Sequence, residues 1–290
     1  MRPKPFEYYA PSSLSEVLTL LSNTEDAKIL AGGQSLISLM KLRLAAPSSL
    51  IDINRVTELN YIRQENGRIA IGATTRHDQV ATSTLIRKKI PLLAEASGSI
   101  GDQQVRNRGS IGGSLAHADP SADLPTACTA LNAEIAVTSE AGSRTITANE
   151  FFSDFFTTAL KQNEILREVW IPIPSTRSGA SYGKLTKGHN DFALVAVAVQ
   201  SSLAPNDTCE SISVVLGGVA PKPVHATETE NTLMKKQIDG GLIREAARKT
   251  AEGLTPNPDP RATPELKREL IRTLTERTLT MAFERAREAV

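Results

Sequence analysis

Two short glycine-containing runs hold the residues whose types and spacing could do chemistry. Ala31-Gly32-Gly33-Gln34-Ser35 stands between the strand-like Lys28-Ile29-Leu30 and a helix predicted over Leu36 to Leu44. A strand-to-helix turn of this kind aims unpaired backbone N–H groups and the positive end of a helix dipole at one spot, which suits an anionic oxygen. The second run, Gln103 to Ser114, shows neither helical nor strand periodicity and contains Gly109-Ser110-Ile111-Gly112-Gly113-Ser114. Two such bends on the walls of one cleft would offer amides to both charged ends of a pyrophosphate. Neither run matches G-x-G-x-x-G, and Gly-Lys-Ser/Thr is absent, so a nicotinamide Rossmann site and a Walker nucleotide site lack support.

Other chemistry-bearing residues are sparse. His117-Ala118-Asp119 with Asp123 offers hard metal-ligand chemistry, but no second nitrogen or sulfur ligand stands nearby and no metal is assigned. His77, His189 and His225 are scattered and are expected at the surface or in turns. Cys128 and Cys209 are too few for an iron–sulfur cluster, a Cys-rich zinc site or a disulfide framework, and read as two buried small hydrophobes. Asn206-Asp207-Thr208 is read as a polar turn.

The elements that must position the bends follow from periodicity. Ser13-Leu14-Ser15-Glu16 is a capping-box pattern opening a helix with Leu14, Val17, Leu18 and Leu21 on one face. Leu50 to Ile53 reads as a second buried strand. Tyr61 to Gln64 and Arg68 to Ile71 flank Asn66-Gly67, a hairpin signal because both central positions want positive φ. A capped helical stretch opens at Thr75-Arg76-His77-Asp78, another helix runs from Pro91 to Gly101, and a third spans Ala122 to Leu131. Glu134 to Thr138, Arg144 to Thr147 and Ile165 to Ile171 read as strands, with Phe151, Phe152, Phe155 and Phe156 between them as a helical core plug. Beyond Pro172, Pro174 and Gly179, three strands are expected over Tyr182 to Thr186, Phe192 to Gln200 and Ile212 to Val219, followed by a helical tail starting at Thr263-Pro264-Glu265. The division is into residues 1–57, 58–176 and 177–290.

Composition narrows the partners. With 33 Lys plus Arg against 32 Asp plus Glu over 290 residues, there is no basic excess for neutralising nucleic-acid phosphates. The longest apolar stretch, Phe192 to Val199, is far below the roughly 20 residues of a membrane-spanning helix, and the start of the chain has no apolar signal core. A soluble, cytoplasmic protein is expected.

Several motifs together resemble one family: Lys28-Ile-Leu-Ala-Gly-Gly-Gln-Ser-Leu36, Met40-Lys-Leu-Arg-Leu44, Ile51-Asp-Ile-Asn54, Ile71-Gly-Ala-Thr74, Gln104-Val-Arg-Asn107 with Gly109-Ser-Ile-Gly-Gly113, and Asp119-Pro-Ser-Ala-Asp-Leu-Pro125. Over essentially its whole length the chain resembles the FAD-binding medium subunit of the molybdenum hydroxylases, the carbon monoxide dehydrogenase and xanthine dehydrogenase family. The resemblance implies an α+β fold: a two-domain FAD-binding module of the PCMH (vanillyl-alcohol-oxidase-like) type, plus a small C-terminal α/β domain with a three-stranded antiparallel sheet and helices. It implies FAD clamped between the first two domains, with Ala31, Gly32, Gly33, Gln34 and Ser35, flanked by Lys28 and Leu36, and Ser110, Ile111, Gly112, Gly113 and Ser114 on the diphosphate. By the same similarity Ile165, Leu166 and Lys187 line the cofactor, and Phe192 takes the place of an aromatic beside the isoalloxazine.

The residue chemistry agrees with that assignment. The four glycines permit close backbone approach, Gln34, Ser35 and Ser110 can add side-chain donors, and Asp123 is suited to accept from a ribose hydroxyl. Ser110 and Ser114 depart from the family's usual Thr and Asn or Asp; the first keeps its hydroxyl, the second loses a longer polar side chain. The implied role is an electron-transfer subunit with no catalytic acid or base of its own. Its partners would be a large molybdopterin subunit carrying the molybdenum cofactor, a small subunit with two [2Fe–2S] clusters, and an acceptor such as a quinone, NAD or oxygen. The alternatives are a self-sufficient FAD oxidase and a cofactor-free assembly subunit.

Overall fold

A computed structural model describes residues 2–289 of the chain. Its N-terminal unit is a parallel sheet in the order β1 (Glu7–Tyr9), β3 (Ser49–Asp52), β2 (Ala27–Leu30), with α1 (Leu14–Asn23) and α2 (Leu36–Lys41) in the connections. Ser13 caps α1 by accepting from the Glu16 N–H at 3.3 Å, and Val17 and Leu21 pack with Ile51, Ile53, Val56 and Leu59 into a small core. α2 is shorter than its expected span to Leu44. After Lys41 the chain turns through Arg43 at φ +63°, leaving Leu42 and Leu44 exposed.

The middle unit is a five-stranded antiparallel sheet. Along the chain come β4 (Ile62–Glu65), β5 (Arg68–Gly72), α3 (His77–Thr82), α4 (Thr84–Lys89), α5 (Pro91–Gly98), α6 (Gln103–Arg108), α7 (Ile111–His117) and α8 (Asp123–Ala130). Then follow β6 (Glu134–Ser139), β7 (Gly142–Thr147), α9 (Ala148–Phe151), β8 (Phe152–Asp154), β9 (Thr157–Thr158) and β10 (Ile165–Pro172). The spatial order is β4-β5-β10-β6-β7, and β8 and β9 form a separate ribbon. Asn66 and Gly67 turn the β4–β5 hairpin at φ +49° and +74°.

The segment 103–114 is helical, not irregular: Asp102 caps α6 by accepting from the Val105 N–H at 2.9 Å, and Ser110 caps α7. Each helix is too short to display a period. The phenylalanine segment is not one helical plug either. Phe151 ends α9 and Phe152 begins β8, both buried in edge-to-face contact, whereas Phe155 and Phe156 stand exposed at the turn of the ribbon.

The C-terminal unit has β11 (Ser178–Leu185), β12 (Val195–Leu203), β13 (Cys209–Gly217) and β14 (Val224–His225), then α10 (Thr227–Leu233), α11 (Gly240–Lys249) and α12 (Pro264–Glu288). The sheet is antiparallel in the order β11-β12-β13-β14, four strands instead of the expected three. β14 was hidden because two residues carry no alternation. α12 lies across β11 and β12, made possible by Gly183, whose Cβ would fall 2.5 Å from Thr278 Oγ1. α5 and α8 also pack on this sheet, so Ala180, Ala198 and Val215 join the middle unit's core. Among the described residues no helix is long and apolar enough to cross a membrane.

Candidate functional site

The first bend leaves β2 at Leu30 and enters α2 at Leu36, passing through Gly33 at φ +73°, a conformation that glycine adopts without steric cost. No acceptor among the described residues takes the backbone N–H groups of Gly32, Gly33, Gln34, Ser35 or Leu36. Five successive amides without partners form a concave donor surface of the kind that binds oxyanions. Gln34 is exposed, with its Nε2 3.4 Å from the Gly32 carbonyl oxygen. Lys28 is exposed on β2, the edge strand of its sheet.

The second bend is built differently. Ile111 N–H donates to Thr75 O at 3.0 Å, Gly112 N–H to Ala73 O at 2.9 Å and Gly113 N–H to Ser110 Oγ at 3.3 Å. The amides of residues 111–113 are therefore engaged inside the fold, so the longer run of free amides is on the first bend. Gly112 is glycine for packing: a Cβ there would lie 2.6 Å from Ala73 Cβ. What this wall offers to a ligand is shape and hydroxyls, with Ser114 half-buried and Ser110 Oγ already serving as the α7 cap.

The two bends meet. A Cβ on Gly32 would sit 2.8 Å from Gly109 Cα and overlap the Arg108 carbonyl oxygen, and a Cβ on Gly113 would lie 3.7 Å from Ala31 Cβ. The free amides of the first bend thus stand beside the α7 cap, with Ile165 and Leu166 at the start of β10 belonging to the N-terminal and middle cores respectively. Those two side chains wedge the units together.

Asp123 opens α8 and is 4% exposed. Its carboxylate accepts from Tyr182 Oη at 2.7 Å, Lys184 Nζ at 3.0 Å and Ser99 Oγ at 3.4 Å. Burial pushes the Asp123 carboxyl up, opposed by Lys184, Tyr182 and Ser99, and burial beside Asp123 raises the Tyr182 phenol well above 10. The lysine at this seam is Lys184, and Lys187 lies exposed in the bend after β11. Tyr182 and Lys184 were legible only as strand residues; their i, i+2 spacing on one face was the available signal. Phe192 lies outside the strands, 50% exposed, with its carbonyl accepting from Arg261.

The remaining candidates carry no reactive group. Burial pushes the Cys128 thiol up to about 12 and the Cys209 thiol to about 11, so both are inert thiols. His117 packs against the Phe156 ring at 5.2 Å, and Asp119 accepts from the Ser121 N–H at 2.8 Å. His77 is not at the surface: it is 5% exposed beneath Gly109, whose Cβ would fall 2.5 Å from its ring. His225, half-buried, joins Glu230 and Asn149 at 2.9 Å each. Among the described residues the site shows no nucleophile–base pair.

Comparison with known proteins agrees with that geometry. The family described as "FAD binding domain in molybdopterin dehydrogenase" matches residues 4–174, and the "CO dehydrogenase flavoprotein C-terminal domain" matches residues 180–282. The chain belongs to this family. The glyceraldehyde dehydrogenase medium chain of Sulfolobus acidocaldarius is 37% identical over 95% of this chain and 97% of the relative. The carbon monoxide dehydrogenase medium chain of Hydrogenophaga pseudoflava is 37% identical over 98% and 99%. The solved carbon monoxide dehydrogenase of that organism superposes with a TM-score of 0.95 over 98% of this chain and 99% of that chain, at 37% identity. Quinoline 2-oxidoreductase from Pseudomonas putida superposes with a TM-score of 0.94 at 35% identity, over 99% of both chains.

As a member of the molybdopterin dehydrogenase flavoprotein family, the chain is an oxidoreductase subunit whose cofactor is FAD. The residues present fit that cofactor: an uncompensated row of amides suits a diphosphate, and the adjoining α7 wall closes one side without competing negative charge.

Proposed function

We propose that this chain is the FAD-binding electron-transfer subunit of a heterotrimeric molybdenum hydroxylase. It takes electrons from the [2Fe–2S] clusters of a small partner subunit and passes them to an external acceptor such as a quinone, NAD or oxygen. Substrate oxidation belongs to a large molybdopterin subunit. The single observation that carries the reading is the meeting of the free 32–36 amides with the 109–114 wall.

Bound FAD would supply the redox chemistry; the protein's share is to hold and orient it. Gly32, Gly33, Gln34, Ser35 and Leu36 would hold the diphosphate through their N–H groups, and Ser114 would add a hydroxyl from the facing wall. Asp123, paired with Lys184 at the polar seam between the middle and C-terminal units, would accept from a ribose hydroxyl of the cofactor. The assembly would be cytoplasmic and doubled to a heterohexamer, and the units would divide near residues 57 and 176. The relatives' names, medium chain and subunit, favour an assembly over a self-sufficient oxidase.

Native mass spectrometry of the complex, paired with a visible spectrum, tests the reading. Stoichiometric FAD together with two companion chains is expected. A folded, colourless chain that FAD cannot reconstitute would overturn it.

A further inference from the structure

The two bends belong to units with separate hydrophobic cores, and one side chain spans the space between them. Arg76, half-buried just before α3, donates from Nη1 to the Arg108 carbonyl oxygen at 2.6 Å and from Nη2 to Asn54 Oδ1 at 2.5 Å. Asn54, just beyond β3, donates from Nδ2 to the Ala31 carbonyl oxygen at 2.8 Å. These three bonds run without interruption from the carbonyl before Gly32 to the carbonyl before Gly109. Asn54 is anchored in turn: its N–H donates to Asp52 Oδ1 at 2.9 Å, and Asp52 Oδ2 accepts from Tyr8 Oη at 2.6 Å.

The arrangement has a directional consequence. In a trans peptide the C=O of Ala31 and the N–H of Gly32 point opposite ways, so drawing that carbonyl onto Asn54 turns the Gly32 N–H away from it. The first of the five unpartnered amides is thereby aimed by a residue that is not in the bend. A planar guanidinium suits this task because it donates along two directions at once; an ammonium does not reproduce the fork.

We propose that Arg76, acting through Asn54, is a positioning residue for the cofactor: it sets the spacing of the two bends and the direction of the Gly32 N–H. This rests on the reading that FAD lies between those bends. Arg76 contacts the carbonyl framework behind the site, so its effect is on affinity and orientation, with no part in electron transfer itself.

The test uses the full chain, stripped of flavin and titrated with FAD by fluorescence quenching, with thermal unfolding of the apoprotein followed separately. Arg76→Met should raise the FAD dissociation constant by about tenfold or more, the usual scale for a lost charge-assisted hydrogen bond. Asn54→Leu should do the same, the double variant should be no worse than either single one, and Arg76→Lys should recover part of the loss. Arg285→Met, which removes an ion pair to Glu95 outside the bends, is the control for general destabilisation and should leave FAD affinity within about twofold. Equal FAD affinity in Arg76→Met and wild type, or an equal loss in Arg285→Met, overturns the proposal while leaving the cofactor reading intact. If wild type itself takes up no FAD, the reading beneath it has failed. Should Arg76→Met not fold, Asn54→Leu and Arg76→Lys decide by the same criteria.

Discussion

Lys184 Nζ lies 3.0 Å from Asp123 Oδ2, with only 10% and 5% of the two side chains exposed, and the pair joins β11 of the C-terminal unit to α8 of the middle unit. Removing one partner would leave the other charge buried alone. Asp123→Ala should therefore destabilise the chain by about 3–5 kcal/mol, whereas Asp123→Leu combined with Lys184→Met should recover much of that loss. Urea unfolding of the three proteins checks this; a double variant no more stable than Asp123→Ala would contradict it.

His77 links stability to pH. Burial, then the charges of Arg76 and Arg106, hold its imidazole down to about 4 from the ordinary 6.5. As pH falls the unfolded chain takes up this proton first, so the contribution is complete above about pH 6.5 and is lost on the way down through the folded value near 4. The loss should reach on the order of 3 kcal/mol by the end of that window. Among the described residues its Nδ1 has no partner, so His77→Phe should hold stability at pH 7 and flatten the acid slope. Unfolding free energies measured between neutral and acid pH would refute this if the two slopes were equal.

Gly32 and Gly33 should fail for different reasons. An alanine at 32 meets Gly109 and the Arg108 carbonyl, forcing the bends apart at a cost of about 1–3 kcal/mol and sharply reducing flavin content. At 33 the obstacle is φ +73°, a strain of about 1–2 kcal/mol for a side chain, and Gly33→Asp adds like charge beside the diphosphate and should abolish flavin retention. The flavin-to-protein absorbance ratio of each purified variant is the measurement.

Ser110 caps α7 through its hydroxyl. Ser110→Ala should cost about 1 kcal/mol, and Ser110→Thr, which keeps the oxygen, should be close to neutral. Thermal unfolding distinguishes them; equal melting temperatures for Ser, Thr and Ala at this position would remove the cap from the account.

Local signals in the chain were enough for the parts whose conformation is dictated within a few residues. The Asn66-Gly67 hairpin, the Ser13 cap, proline at the starts of α5 and α12, and the left-handed turn at Gly33 depend on near neighbours, so their residue types name them. The motifs that carry the family resemblance are likewise contiguous, and with them the cofactor. Short or edge elements escaped: α6 and α7 have too few turns to show a period, and β14 is two residues long.

Tertiary structure alone decided which atoms are free to hold a ligand. Whether an amide is free depends on where a distant carbonyl lies: Ala73 and Thr75 take the Gly112 and Ile111 N–H groups, and among the described residues nothing takes those of residues 32–36. The pairing of Lys184 with Asp123 was set by strand register against α8, and the burial of His77 by the path of the chain over Gly109. Arg76 and Asn54, 22 residues apart, became partners only when two separately cored units were packed face to face. Backbone preferences act over a few bonds, but hydrogen-bond satisfaction and burial are properties of the assembled chain.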